Sequence, residues 1–474
     1  MACYSGGMPI RSNFRAALLG VLLFQVTAWS QTYSEPLRPQ FHFTAQKGWL
    51  NDPNGLVFYK GEYHLFFQHN PGGTNWVELL SWGHAVSDDA IHWKQLEDQI
   101  PPTRRPDGQM AGSYSGTGFV DWNNTSGFGE GDEKPIVLAW TATGLGQCLA
   151  YSNDKGRTFT KYSGNPVIAM PTPKRKGDWD RDPDIFWYEP GKHWVMLYSV
   201  TGTGFIINTS SDLKKWQRQS VVEGFFECPG MFELPVNGDA NNRKWVIWDA
   251  SSKYVIGKFD GKNFVKESGP FVLDQGKNYY AAQSWSDVPA GRRISIGWMR
   301  NGRFPGMPFN QQMGITSELK LKTVAGEARL TKLPVEEVKS LRYEETNVGR
   351  QALDPGSPLL RDITGDTFDI ELEIEPASAT EIALNVRGQA IKWGKGKLTV
   401  GGASAPLEVG VGRPLRLRVL LDRTSIEVYS EDGLLSMTTA YLPDTKSPPL
   451  SLTASGGEAH VNSLHVWKMH SIWN

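Results

Sequence analysis

Three short stretches of the 474-residue chain place an acid close to a proline beside a strand-like run: Asn-Asp-Pro-Asn-Gly with Asp52, Arg-Asp-Pro-Asp with Asp182, and Glu-Cys-Pro-Gly with Glu227. Each has a bland reading. Asp before Pro and Asn-Gly are turn chemistry, so Asp52 alone is a loop residue on the way into a hairpin. Asp182 alone is an ion pair with Arg181, and Glu227 alone a strand-end acid facing water. As a set they point elsewhere. Acids crowded in a partly dry pocket raise one another's pKa, and desolvation raises them further, so proteins keep such clusters where chemistry uses them. The most direct use is glycoside hydrolysis, with one carboxylate as nucleophile, one protonated carboxyl as general acid, and a third group gripping the sugar as positive charge develops.

The neighbours suggest who does what. Asn51 and turn amides beside Asp52 should keep it ionised, which suits a nucleophile. Phe225 and Phe226 ahead of Glu227 should desolvate it, which suits an acid, and Arg181 should hold Asp182 charged, which suits transition-state stabilisation. The rival use is a metal site. No EF-hand spacing, HExxH or His pair accompanies the acids, so neither metal nor cofactor is expected. P-loop, GxSxG and strand-to-helix GxGxxG elements are missing too, which leaves nucleotide and serine-hydrolase chemistry without residues.

Something must bring these acids together. Between residues 41 and 300 a four-part pattern recurs: strand, Gly-containing turn, strand, then a Ser-x-Asp or Asp-Gly turn leading to an aromatic. Its aspartates, Asp89, Asp154, Asp212 and Asp260, recur at roughly 50 to 65 residues, blade spacing for a propeller of about four strands per blade. A general β-sandwich is the alternative. Hairpin turns fall at Lys60-Gly61, Pro190-Gly191 and Asn237-Gly238, each hairpin preceded by one of the three acids. Inner strands of a propeller share one direction along the channel, so acids at equivalent places converge at one end.

Composition agrees. Abundant Trp, Tyr and Phe with frequent Gly and Pro suit short strands and tight turns, and the aromatics suit both a filled β core and sugar stacking. A formal net charge of −1 argues against nucleic acid or an acidic membrane as partner. Arg11 and Arg15 precede an apolar run from Ala16 to Val26, with Ala28 and Ser30 at cleavage positions, so residues 1–30 read as a secretory signal peptide cut before Gln31. That run is short of the roughly 20 residues a membrane span needs, and the mature chain should be exported without one. Cys3 would leave with the leader. Cys148 and Cys228 remain, too few for a disulfide framework, although one bridge is compatible with the count.

At this point the motifs resemble family 32 glycoside hydrolases, the invertase, inulinase and levanase group. The match rests on Trp-Leu-Asn-Asp-Pro-Asn-Gly at 49–55, Arg-Asp-Pro-Asp at 181–184 and Glu-Cys-Pro-Gly at 227–230, with support from Phe66–Pro71, Trp82–Trp93, Tyr114–Gly118, Tyr279–Trp285, Ile296–Met299 and Met307–Met313. The resemblance implies an all-β chain, a five-bladed β-propeller (31–335) joined by a linker (336–350) to a C-terminal β-sandwich (351–474). It also implies a levanase-like retaining β-fructosidase acting on terminal fructosyl units of fructan or sucrose. Asp52 matches the family's nucleophile, Glu227 its acid/base and Asp182 its stabiliser. Asn51, Gln68, Trp76, Tyr114, Ser115, Arg181, Tyr280 and Trp298 match residues that grip the fructosyl unit.

Three positions depart from the pattern. Asn278 stands where the family usually has an acid, Thr117 ends an aromatic-Ser-Gly-Ser motif, and residues 77–81 replace a shorter Gly-Asn type segment. They touch the region beyond the fructose, where linkage preference is set. Downstream, residues 334–341 read as a short helical connector, and alternating strands from about Asp362 fit a sandwich of roughly 120 residues. A fructosyltransferase of the same fold and a non-catalytic fructan binder are the alternatives.

Overall fold

Asn-Asp-Pro-Asn-Gly is not a loop: it lies inside a strand, Gly48–Tyr59. The composition pointed to a turn because the strand is twice bulged, with register shifts against its hairpin partner between Leu50 and Pro53 and between Asn54 and Val57. Pro53 has no N–H to give a ladder, and Gly55 takes φ +57° within the second irregularity. A Cβ at Gly55 would lie 2.7 Å from the Phe66 ring, and one at Gly118 on the neighbouring inner strand 2.5 Å from the Gly55 carbonyl oxygen. Inner strands here touch backbone to backbone.

The computed structural model describes residues 33–171, 180–354, 356–410 and 412–473; the leader expected at 1–30 lies outside them, as does its cleavage point. Five antiparallel blades follow one another. Their inner strands are Gly48–Tyr59, Ser113–Val120, Asp180–Tyr188, Gly230–Val236 and Tyr279–Ser284. The Ser-x-Asp repeats sit between the third and outermost strands. Asp89, Asp154 and Asp212 each accept the amides two to four residues on, together with the preceding Ser hydroxyl, and Asp260 caps the amides of Lys262 and Asn263. Blade five turns instead through Ala325 and Gly326, both at positive φ, which is why the repeat fades there. The ring closes where Phe309–Asn310 pairs in parallel with Gly48–Trp49.

Two further sheets pack face to face over a core of Leu, Ile and Val side chains from residues 353 to 466. The connector is a 3₁₀ helix, Glu336–Leu341, and residues 342–348, expected as linker, form a strand of the first sandwich sheet paired with His460–Met469. Propeller and sandwich share one apolar cluster, in which Leu420, Tyr429 and Met469 pack with Phe41, Phe43 and Leu50. Buried polar ties reinforce it. Asp422 accepts the backbone amides of Gln40, Phe41 and His42 and the His42 ring nitrogen, and Asp274 pairs with Lys332 at 2.8 Å, both side chains fully buried. Thr438 of the sandwich donates its N–H and hydroxyl to the same Asp274.

Removing one partner of such a pair strands a charge in low dielectric. Lys332→Met is therefore expected to lower the unfolding free energy in urea by about 3 kcal/mol, because the donors from Thr438 compensate only part of the lost cation. An unchanged urea midpoint would refute this account of the interface.

Candidate active site

The three acids meet at one end of the channel. Asp52 is the fifth residue of the first inner strand and Asp182 the third residue of the third, while Glu227 lies three residues before the fourth, not at its head. Cys228 joins them: its thiol reaches Oδ2 of Asp52 (3.5 Å) and Oδ2 of Asp182 (3.7 Å), and its backbone N–H donates to that Asp182 oxygen (3.1 Å). Arg181 links the other pair, with Nε 3.4 Å from Asp182 Oδ2 and a terminal nitrogen donating to Glu227 Oε1.

Local backbone explains the aim. Register shifts interrupt the inner strands between Leu50 and Pro53, Ser113 and Gly116, Arg181 and Asp184, and Tyr280 and Gln283, the same level in four blades. A bulge breaks the strict alternation of a strand and re-aims a side chain. Asp182, Glu227, Cys228 and Ala281 all hold positive φ, at 63°, 54°, 44° and 50°. Each such non-glycine residue costs on the order of 1–3 kcal/mol and persists where the surroundings fix it. Here the Asp182 N–H is taken by Thr141 Oγ1 (2.9 Å) and the Glu227 N–H by Ser199 Oγ (2.9 Å).

Around Asp52 runs a chain of neutral donors. Trp49 donates to Asn51, Asn51 to Asp52 Oδ1 (3.1 Å) and to Gln68 (2.7 Å), Gln68 to the Ser115 hydroxyl, and Ser115 to Asp52 Oδ2 (2.6 Å). Tyr280 donates its hydroxyl to Glu227 Oε2 (2.7 Å), while Arg300 lies 4.4 Å over its ring and Trp298 stands edge-on to it and to Trp49. Tyr114 is half-buried beside Arg181 and Asp182, and burial pushes its hydroxyl up to about 12. Of the expected contacts, Trp76 stands apart: it is 50% exposed on the loop between Asn70 and Ser81, with no contact to the acids among the described residues.

Electrostatics correct three expectations. Burial raises the Asp52 carboxyl, with the Glu227 charge adding to it, and the donors from Ser115, Asn51 and Cys228 do not fully offset this. Asp182 is raised by burial to about 6 despite Arg181. The two rings ahead of Glu227 do not enclose it: Phe225 stacks on Phe205 inside the blade core, Phe226 is 46% exposed, and the Glu227 side chain keeps 29% exposure. Burial also raises the Tyr280 hydroxyl, and its bond to Glu227 acts the same way, so it stays a donor. Both described cysteines are free thiols. Cys228, Thr141, Ser199 and Arg300 were not singled out from sequence. Cys228 had a signal, its place between Glu227 and Pro229, whereas Thr141 and Ser199 sit on second strands of blades with no motif around them.

With this geometry in place, comparison with known proteins is decisive. The glycosyl hydrolases family 32 N-terminal domain profile matches residues 42–334, and the family 32 C-terminal profile matches residues 393–468. The chain belongs to glycosyl hydrolase family 32. It is 39% identical to a levanase of Bacillus subtilis (strain 168) over 94% of this chain and 72% of that one, and 29% identical to an extracellular exo-inulinase of Aspergillus awamori over 96% and 99%. The crystal structure of exo-inulinase from Aspergillus awamori superposes with a TM-score of 0.82, covering 93% of this chain and all of that one at 29% identity. A β-fructofuranosidase from Schwanniomyces occidentalis complexed with fructosyl-erythritol gives 0.80, covering 92% and 98% at 26% identity. This family 32 glycoside hydrolase is a five-bladed propeller carrying a sandwich, as its motifs implied.

A buried acid with a raised pKa opposes its own ionisation in the folded state. For Asp182 the stability is intact below about pH 4, is lost as pH rises toward about 6, and stays lost above. Asp182→Asn is therefore expected to melt higher than the unaltered protein at pH 7, by on the order of 1–3 kcal/mol, with the advantage vanishing near pH 4. Thermal melts at the two pH values test the sign.

Proposed function

We propose that the protein is an exported retaining β-fructosidase that releases terminal fructosyl units from fructan or sucrose by double displacement. The observation that carries this reading is the meeting of Asp52, Asp182 and Glu227 through Cys228 and Arg181 at one channel end. Asp52 attacks the anomeric carbon, its two oxygens held in orientation by Ser115 and Asn51. Glu227, part-exposed and reachable by a leaving group, gives a proton to the departing oxygen and then takes one from the incoming water. Asp182, beside Arg181, faces the positive charge that develops on the ring.

The levanase and exo-inulinase similarities support fructosides as the substrate class, and relatives named invertase, 35–36% identical over 65% of this chain, support sucrose within it. Asn51, Gln68, Tyr114, Ser115, Arg181, Tyr280 and Trp298 wall the pocket around a terminal sugar, and Trp76, which stands apart on its exposed loop, takes no part in that wall. Export rests on the leader pattern at residues 1–30, on the similarity to an exo-inulinase called extracellular, and on no described helix being long and apolar enough to cross a membrane.

Incubation of residues 31–474 with sucrose, inulin and levan should liberate fructose from at least one as the first product. Asp52→Asn and Glu227→Gln should each reduce kcat on the order of 10³-fold or more. Early oligosaccharides in place of fructose would mean endo cleavage or transfer, and no product from folded protein would sink the enzymatic reading. Ionised Asp182 is required for the stabilising role, so kcat/KM should fall as pH drops below about 6. An acid limb near pH 4 would show that Asp182 ionises as an ordinary carboxyl.

A further inference from the structure

A cavity of about 520 Å³ opens at the end of the propeller channel away from the three acids. Its walls are the continuation of the same inner strands: Thr117 lies two residues beyond Ser115, Asp184 two beyond Asp182, and Gln283 three beyond Tyr280. We propose that this second mouth is a saccharide-binding site separate from the carboxylate cluster.

The volume is within the range of small-molecule sites. At the rim Trp122 is 50% exposed, yet it is held: its indole N–H donates to Asp287 Oδ1 (2.7 Å) and its ring packs 5.8 Å from that of Tyr59. An exposed indole that is fixed in place presents a flat apolar face to a ligand without losing rotamer freedom on binding. Trp187, tied through its indole N–H to Glu189, lines another side of the cavity.

Deeper in, Asp184 takes the Met231 N–H (2.8 Å), and Arg293 donates from one terminal nitrogen to Ser284 Oγ and the Trp285 carbonyl oxygen. Carboxylates, a guanidinium and the Gln283 amide in one cavity give donors and acceptors in the mixture that sugar hydroxyls require. The charges decide the class. Asp184, Asp287, Glu189 and Glu233 outnumber Arg243 and Arg293, which disfavours an anion, and Arg293 interacts with both Asp184 and Asp287, which disfavours a metal cation there. A neutral polyhydroxyl ligand with an apolar face fits both conditions.

Fructosides are the probe to use, a choice that rests on the activity proposed above. Turnover-deficient Glu227→Gln protein is titrated calorimetrically with sucrose and with a fructose-containing trisaccharide. Two independent binding events are expected. Trp122→Ala on the same background should weaken the second at least about tenfold, while Trp122→Phe, which keeps a ring, should retain it within a few-fold. In the otherwise unaltered chain Trp122→Ala should leave the initial rate on sucrose within about twofold, since Trp122 is remote from the acids. A single event indifferent to Trp122→Ala, or a second event indifferent to it, overturns the proposal. A single event that Trp122→Ala weakens supports this site and overturns the fructosidase reading, so the two ideas fail separately.

Discussion

The guanidinium of Arg181 stands between two carboxylates, and much of the site is arranged to make that tolerable. Arg181 is one-fifth exposed, Asp182 almost wholly buried, and Glu227 29% exposed. A cation shared by two acids cannot neutralise both, and the third, Asp52, has only neutral donors among its hydrogen bonds in the described residues. Burial therefore wins over stabilisation at both aspartates, and both ionise less readily than ordinary carboxylates. Glu227 keeps 29% exposure and takes Arg181 on one oxygen and Tyr280 on the other. The acid/base candidate of the proposed mechanism is thus one that solvent reaches.

Such a cluster needs a frame stiff enough to prevent the acids from turning away. The propeller supplies it by taking each acid from a different blade, so that no single hinge motion separates them. Bulges at one level of four inner strands, with backbone held at positive φ at Asp182, Glu227, Cys228 and Ala281, are local departures from ideal strand geometry concentrated at the mouth. Thr141 and Ser199 reach in from adjacent strands to satisfy the amides that these departures free. Strain at the mouth is stabilised by regular pairing below it.

Much of this was legible in the residues. The Ser-x-Asp turns of blades one to three and the Asp-Gly turn of blade four exposed the repeat because capping chemistry requires those residue types, whereas the fifth blade turns on backbone conformation at Ala325 and Gly326 and leaves no such mark. The acids announced themselves through proline neighbours. Their electrostatics did not, because adjacency in sequence is a poor guide to desolvation. Phe225 and Phe226 adjoin Glu227 in the chain, but one ring turns into the blade and the other outward. Asn-Asp-Pro-Asn-Gly read as a turn because a bulged strand uses the same residues, and only pairing with Glu62–Asn70 tells the two apart.

Asn278, one of the three departures from the expected family pattern, shows how the sandwich enters the site. Its backbone N–H donates to the Thr438 carbonyl, its side-chain oxygen accepts the Ala440 N–H (2.9 Å), and its amide nitrogen donates to the Arg300 carbonyl oxygen (2.5 Å). A carboxylate has no N–H, so it could not make the last of these bonds. Two residues on stands Tyr280, which donates to Glu227 and lies under the Arg300 guanidinium. The buried Asp274–Lys332 pair fixes the start of the same segment against Thr438. The segment that delivers Tyr280 to the acid/base candidate is therefore pinned at both ends by sandwich strand Ser436–Ala440, so the second domain helps set the position of a group at the mouth. Support, in this chain, reaches as far as the hydrogen bond between Tyr280 and Glu227.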